Sequence, residues 1–232
     1  GAGDIRINMK AGEFTAAGRV VKAGETITVD GSSGEVLLGA AQMVEPELTG
    51  DFATVMTWAD AARRLKVRTN ADTPRDAEIA VKFGAEGIGL CRTEHMFFDA
   101  QRIASVRKMI VAESEAARVK ALDELFPHQR ADFVGIFKAM GARPVTIRFL
   151  DPPLHEFLPH TDEDIAEVAP TLGVSADWLT ARVRALAESN PMLGFRGCRL
   201  AIVFPEIYDM QARAVFEAAC DVAEKGAAPI PE

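Results

Sequence analysis

Alternation of apolar and polar residues marks the first part of the chain as β-structure. Residues 5–9, 25–29 and 35–37 alternate with a period of two, as strands with one buried face do. The turn cluster Asp-Gly-Ser-Ser-Gly at 30–34 joins the last two of these segments. We therefore predict a small β-rich segment over residues 1–46.

A helical period comes next, and then strands and helices alternate. Apolar residues recur at helical spacing over 47–65, which predicts a linker helix. The predicted strands after it are 66–70, 87–91, 144–150 and a last one that opens near residue 229. Strands that alternate with helices form parallel sheets with right-handed crossovers. A complete (β/α)8 TIM-type barrel needs about 250 residues, so residues 66–232 correspond to roughly the first half of one.

Capping residues set several helix ends. Thr73 is a predicted N-cap with Pro74 in the first helical position, and Gly84 ends that helix. Residues 103–140 are predicted to be helical with a break at Pro127, because an interior proline removes a backbone hydrogen bond. The other predicted helices are 162–168, 176–188 and one that runs from Pro205 to before Gly226.

Composition narrows the class of protein. The chain has 232 residues, 48% of them hydrophobic and 26% charged, so it can bury a core. Its net charge of −8 argues against a nucleic-acid surface, which needs positive patches. There is no apolar run of membrane length and no signal-peptide pattern, so we expect a cytoplasmic protein without a membrane partner. Cys91, Cys198 and Cys220 are widely spaced, which favours buried or half-buried free thiols over a disulfide or metal set.

Arginines fall at the carboxyl ends of the predicted strands, the edge where parallel α/β folds bind ligands. Arg92 directly follows one strand, Arg148 lies near the end of the next, and Arg196 lies in the Pro- and Gly-containing loop 190–197. A guanidinium group binds carboxylate or phosphate oxygens in pairs, which lysine cannot do. We predict that these arginines bind a small ligand carrying both groups, with Asn70 at the same edge as a further donor.

Structural explanations compete with this hypothesis. Any one arginine could instead pair with one of the 34 acidic residues, and Asn70 could cap a turn. A histidine beside a carboxylate serves in acid–base chemistry or, more often, orients a neighbour. The candidates of that kind near the arginines are Glu94, His95, Asp151, His155 and Glu156. Because Arg92 and Arg148 both end strands, we favour ligand binding for that pair.

Common catalytic signatures are absent from the sequence. It contains no G-x-x-x-x-G-K-[ST] phosphate-binding loop and no nucleophile elbow. No pair of acidic residues has a spacing that identifies a magnesium site. Residue patterns alone therefore reach only a parallel α/β module with an anion-binding edge.

Four stretches closely resemble the pyruvate, phosphate dikinases, which belong to the phosphoenolpyruvate-utilising enzymes. They are RTNADTP at 68–74, GIGLCRTEHMF at 87–97, RFLDPPLHEF at 148–157 and NPMLGFRGCR at 190–199. The resemblance extends through essentially the whole chain. Phosphoenolpyruvate synthase and enzyme I of the sugar phosphotransferase system share the Arg-Thr-Glu pattern but not the Asp-Pro-Pro-Leu-His-Glu-Phe stretch.

The resemblance implies an activity and a division of labour. The family interconverts ATP, phosphate and pyruvate with AMP, diphosphate and phosphoenolpyruvate, uses Mg²⁺, and forms homodimers. A swivelling domain carries a phosphohistidine from the nucleotide-binding domain to a barrel that binds pyruvate. By this likeness, residues 1–46 are the C-terminal part of the swivelling domain, 47–65 its linker helix, and 66–232 the N-terminal half of the barrel. Arg92 and Arg148 match substrate-binding arginines of the family, and Arg196 falls in a third active-site motif.

Departures from the family pattern limit what the chain is expected to do alone. None of its four histidines lies in a Gly-x-Thr-Ser-His motif, and the family's magnesium ligands and proton-donating cysteine lie beyond Glu232. The ATP-binding domain is also missing, so we expect these 232 residues alone to be inactive and assign them no catalytic residue and no metal ligand. Two alternatives remain: another phosphoenolpyruvate-dependent phosphotransferase, or a non-catalytic assembly module.

Overall fold

The computed structural model describes residues 3–43 and 49–232, and the chain forms two compact units, Gly1–Asp60 and Ala61–Glu232. The strands of the first unit are β1 (Arg6–Asn8), β2 (Glu13–Ala16), β3 (Arg19–Lys22), β4 (Ile27–Asp30) and β5 (Glu35–Leu38). Strands β1, β2 and β3 form an antiparallel sheet, and β4 pairs antiparallel with β5. Helix α1 (Gly50–Ala62) follows.

The β-rich character predicted for this region is present, with two strands that the sequence pattern missed. Strands β2 and β3 are joined by Ala17 and Gly18, which both have positive φ, at 48° and 75°. Such a turn twists with the strands it joins, but it is usually marked by Asn-Gly or Asp-Gly. Helix α1 lies within the predicted linker helix 47–65, of which residues 47 and 48 fall outside the described part. The three segments drawn from the sequence, 1–46, 47–65 and 66–232, remain predictions.

The second unit is built on a parallel sheet of β6 (Thr69–Asn70), β7 (Ile88–Arg92), β8 (Pro144–Arg148) and β9 (Ile230–Pro231), in that spatial order. Its helices are α2 (Pro74–Lys82), α3 (Glu94–Phe97), α4 (Ile103–Val111), α5 (Glu115–Met140), α6 (Asp162–Leu172), α7 (Ala176–Leu186), α8 (Gly197–Val203) and α9 (Pro205–Ala223). The α/β fold class is thereby confirmed. The sheet is not closed, as expected for a partial barrel.

The predicted ends of α2 are correct. The hydroxyl oxygen of Thr73 accepts a hydrogen bond from the Asp76 backbone N–H at 3.1 Å, and Pro74 takes the first helical position. Gly84, with φ of +85°, follows the last turn. This short helix returns the chain from the carboxyl end of β6 to the start of β7.

The break predicted at Pro127 is wrong, because α5 runs unbroken from Glu115 to Met140 with Pro127 inside it. The break comes earlier, where the Ser114 hydroxyl oxygen accepts a hydrogen bond from the Ala117 N–H at 3.2 Å and caps α5. Pro127 is exposed, whereas Leu125 and Gln129 on either side are buried against the rest of the unit. Packing of the buried face therefore outweighs the missing backbone hydrogen bond.

The core beneath the sheet fixes the position of the strand ends. Side chains from β7 and β8 pack with α2, α5 and α9, and the fully buried members include Ile88, Val145, Phe133, Phe137 and Ala218. A second apolar cluster joins α4, the first half of α5, and helices α6 to α9. No helix within residues 3–43 and 49–232 is long and apolar enough to span a membrane.

We predict that Gly135→Ala destabilises the protein, although alanine is the better helix former by about 1 kcal/mol. A Cβ at Gly135 in α5 would lie 2.6 Å from Pro74 Cγ at the start of α2. Relieving such a clash costs about 1–3 kcal/mol, so the free energy of unfolding from urea titration should fall. Ala131→Gly, at an exposed position of α5, is the matched control, and it should lose about 1 kcal/mol through helix propensity. A Gly135→Ala protein at least as stable as the wild type would contradict this packing.

Candidate functional site

The register of β7 and β8 places two of the predicted site arginines side by side. Arg92 and Arg148 are Cα partners, and each is the last residue of its strand. Side chains at paired positions of neighbouring strands leave the sheet on the same face. The structure therefore brings Arg92 and Arg148 together at the carboxyl edge, where the sequence predicted them.

Arg92 is fixed at its base and open at its tip. Its backbone N–H donates to Asp72 Oδ1 at 2.6 Å, and its Nε lies 3.3 Å from Asp72 Oδ2 without a hydrogen bond. Its side chain is 32% exposed. Across residues 3–43 and 49–232, the two terminal nitrogens of Arg92 have no hydrogen-bond or ion-pair partner. They are free to bind an anion in the bidentate manner.

Asp72, which the sequence reading did not single out, organises this corner of the site. It comes two residues after β6, and its Oδ2 also lies 2.7 Å from Nδ1 of His95. The Asp72 side chain is only 11% exposed, whereas that of His95 is about half exposed. The contact gives His95 the orienting geometry expected of a histidine beside a carboxylate. An acidic residue between a strand end and a helix N-cap was the available signal.

Arg148 and Arg196 are held by carboxylates. Arg148 forms an ion pair with the buried Glu94, and its other terminal nitrogen lies 3.3 Å from Asp151 Oδ2. Arg196 donates from Nε to the Asp151 carbonyl oxygen at 3.1 Å and lies 2.5 Å from Asp151 Oδ2 through a terminal nitrogen. The hydrogen bond to Asp151 raises the pKa of the Arg196 guanidinium. Asp151 thus bridges the two arginines.

Three positive and three negative side chains therefore share the edge. The arginines are Arg92, Arg148 and Arg196, and the carboxylates are Asp72, Glu94 and Asp151. The structural alternative weighed for each arginine, an acidic neighbour, is present in every case. The site assignment remains a prediction, and Arg92 is the member whose terminal nitrogens are unoccupied.

The other candidates lie around this cluster. Asn70 ends β6, is exposed, and pairs in register with Leu90 two residues before Arg92. His155 lies in a 3₁₀ turn, and its buried Nδ1 has no hydrogen-bond partner among residues 3–43 and 49–232. Glu156 beside it is exposed. The assignment of Asn70 to the ligand also stays a prediction.

The resemblance implies magnesium, but the described part of the chain contains no set of side chains arranged to bind it. Residues 3–43 and 49–232 contain no group of three or more His, Cys, Asp or Glu side chains placed to hold a metal ion. Since hard cations need several oxygen ligands, we derive no metal-dependent step from these residues.

Comparisons with known proteins identify the family of the chain. The family model described as "PEP-utilising enzyme, PEP-binding domain", in which PEP stands for phosphoenolpyruvate, matches residues 46–228. The chain therefore belongs to this family. A pyruvate, phosphate dikinase of Rhizobium meliloti is 60% identical over the whole chain, and one of Clostridium symbiosum is 52% identical. The chloroplastic pyruvate, phosphate dikinase 1 of Arabidopsis thaliana is 53% identical. The chain covers 26%, 27% and 24% of these proteins, about a quarter of their length.

We predict that Asp72→Ala lowers the free energy of unfolding by about 1–3 kcal/mol, because it leaves the Arg92 N–H without its acceptor. Asp72→Asn should lose less, since the amide oxygen can still accept that bond. Urea titration gives the stabilities, and hydrogen exchange of the Arg92 amide reports the bond itself. Asp123→Ala, which removes an exposed carboxylate on α5, is the control and should stay within about 0.5 kcal/mol of wild type. Equal effects of Asp72→Ala and Asp123→Ala would count against this role.

The three cysteines differ in their exposure to solvent, which the sequence pattern did not indicate. All three are free, but Cys198 and Cys220 are exposed rather than buried or half-buried, so that expectation is wrong for two of them. Cys91 in β7 is fully buried, and desolvation raises the pKa of its thiol to about 12, with Asp72 adding to the effect. The two exposed positions lie on α8 and α9, on faces that do not enter the core.

We predict that a thiol reagent at pH 8 labels Cys198 and Cys220 in the folded protein and Cys91 only after unfolding. The thiolate is the reacting species, and four pH units below its pKa only about one thiol in ten thousand is ionised. A variant that retains Cys91 as its only cysteine should not be labelled until denaturant is added. Rapid labelling of that variant without denaturant would show that β7 is not buried as described.

Proposed function

We propose that the chain is the pyruvate- and phosphoenolpyruvate-binding segment of a pyruvate, phosphate dikinase. Such an enzyme interconverts ATP, phosphate and pyruvate with AMP, diphosphate and phosphoenolpyruvate. The observation that carries the proposal is the pairing of Arg92 with Arg148 at the carboxyl edge, with the terminal nitrogens of Arg92 open. The family match and the names of the relatives support the same ligand class.

The chemistry explains why arginines suit this position. Pyruvate is phosphorylated on its enolate oxygen, so negative charge collects on carboxylate, enolate and phosphoryl groups in the transition state. Fixed cations beside those groups stabilise it by several kcal/mol. Each guanidinium group also orients the oxygens that it binds.

The arginines have distinct roles in this scheme. Arg92 supplies an open pair of donors, and its base is anchored by Asp72 before any ligand arrives. Arg148 and Arg196 are paired with Glu94 and Asp151, so an incoming anion exchanges with Asp151 for part of their donors. Because the arginine side chains are already held in place, less conformational entropy is lost when the ligand binds.

The wider properties of the family are part of the proposal. They are ATP and phosphate as further substrates, Mg²⁺ as cofactor, a homodimer and a cytoplasmic location. The Arabidopsis relative is named as chloroplastic, so a plastid is the other compartment to consider. Phosphoryl transfer to pyruvate needs groups that we do not assign to residues 1–232, so binding is the activity we expect of this chain alone.

The two alternatives differ in whether the chain binds the ligand at all. Another phosphoenolpyruvate-dependent phosphotransferase, of the synthase or enzyme I type, would bind the same ligand through the same arginines. A non-catalytic assembly module would bind no ligand but would dimerise as its concentration rises. Titration calorimetry combined with sedimentation velocity separates ligand binding from assembly.

We predict that the chain binds phosphoenolpyruvate weakly and that Arg92→Ala reduces the affinity by about ten- to a hundredfold, since two charge-assisted hydrogen bonds are lost. Arg92→Lys should recover only part of it, because an ammonium group lacks the planar fork. Raising the ionic strength should weaken binding to the wild type. The measurement is titration calorimetry at two salt concentrations.

Arg213→Ala is the matched control. Arg213 is the most exposed of the paired arginines, with 64% of its side chain accessible, and pairs with Glu217 on α9. Its loss removes the same charge without touching the edge, so affinity should be unchanged. The proposal fails if the wild type shows no binding, or if Arg92→Ala and Arg213→Ala behave alike.

A further inference from the structure

Helix α9 reaches the backbone next to the arginine edge through Tyr208. The Tyr208 hydroxyl donates to the Leu150 carbonyl oxygen at 2.6 Å and lies 3.0 Å from the carbonyl oxygen of Gly197. Leu150 precedes Asp151, and Gly197 follows Arg196. The Tyr208 hydroxyl therefore connects the backbone just after β8 with the backbone just after Arg196.

Gln211, one turn further along α9, makes a second connection. It is fully buried, and its Oε1 accepts from the Leu150 N–H at 2.8 Å. Its Nε2 donates to the Thr93 hydroxyl oxygen at 3.0 Å, and that hydroxyl donates to the Arg148 carbonyl oxygen at 3.0 Å. Gln211 thus links Thr93, the residue after Arg92, to the backbone of Leu150, and the Thr93 hydroxyl extends the connection to the Arg148 carbonyl.

We propose that Tyr208 and Gln211 are positioning residues, which set the spacing of Arg92, Arg148 and Arg196 and thereby the affinity for the three-carbon anion. This inference rests on the proposed function. Neither side chain needs to contact the ligand, since each acts through backbone groups adjoining the arginines. Their separation of three residues puts both on one face of α9.

The surroundings favour a positioning role over simple burial of polar groups. Gln211 uses both ends of its amide, and the strand ends it joins are already neighbours in the sheet. Gly197 has φ of +51°, and a Cβ there would lie 2.9 Å from Asp151 Oδ1, so the loop is held close to the bridging carboxylate.

The test uses Tyr208→Phe and Gln211→Met in the 232-residue chain, because both retain volume and lose the hydrogen bonds. Thr180→Val is the control, since the Thr180 hydroxyl donates to the Ala176 carbonyl oxygen on α7. Each variant is examined for phosphoenolpyruvate affinity and for the ¹⁵N–¹H resonances of the arginine Nε groups. We expect about tenfold weaker binding for Tyr208→Phe and Gln211→Met, with shifted resonances of the site arginines, and neither change for Thr180→Val.

A double-variant measurement separates positioning from general loss of stability. Tyr208 acts in part through the loop of Arg196, so in an Arg196→Ala background Tyr208→Phe should weaken binding by no more than roughly twofold. A purely structural effect would be the same in both backgrounds. If Gln211→Met does not fold, Thr93→Val breaks the same link while leaving α9 intact.

The outcomes distinguish this inference from the proposed function. If the wild type binds and both α9 variants bind equally well, the positioning role is overturned and the proposed function stands. If the wild type does not bind, the proposed function fails for this chain, and the arginine resonances decide the positioning role. Unchanged resonances in Tyr208→Phe and Gln211→Met overturn it, whereas shifts confined to the site arginines support it.

Discussion

The parallel pairing of β7 with β8 is the constraint on which the site depends. Because Arg92 and Arg148 are register partners, a slip of one residue would send one of them to the opposite face of the sheet. The adjoining pair in this register is Cys91 opposite Ile147, and Cys91 is fully buried, whereas Ile88 opposite Val145 lies beyond an irregularity that shifts the pairing by one residue. The packing of the core thus fixes the positions of the Arg92 and Arg148 side chains at the carboxyl edge of the sheet.

Charge balance follows from that placement. Bringing cations together in a partly buried edge is unfavourable unless anions accompany them, and Asp72, Glu94 and Asp151 supply the compensation. The compensation is uneven, because Asp72 meets Arg92 at its backbone and Nε but not at its tip. The edge is therefore stable without ligand and still offers one open guanidinium fork. Hydrogen bonds from Tyr208 and Gln211 on α9 also hold the backbone that adjoins the arginines.

Local chemistry explains how far the sequence could predict this structure. The capped helix after Thr73, the glycine-spaced strand before Arg92 and the long helix from Pro205 were predictable, because each is marked by nearby residues. Two kinds of feature were not. Helix α5 continues through Pro127 because of tertiary packing, and the roles of Asp72, Tyr208 and Gln211 depend on partners distant in sequence. The resemblance supplied the family, which the family match then established.

The most direct test of the central claim is a structure of this chain with oxalate, a planar dianion that mimics the enolate of pyruvate. We predict oxalate oxygens within about 3 Å of the terminal nitrogens of Arg92, with Arg148 contacting the same ion from the neighbouring strand. The claim would be contradicted by oxalate bound elsewhere at saturating concentration, with the tip of Arg92 paired to a carboxylate of the protein itself.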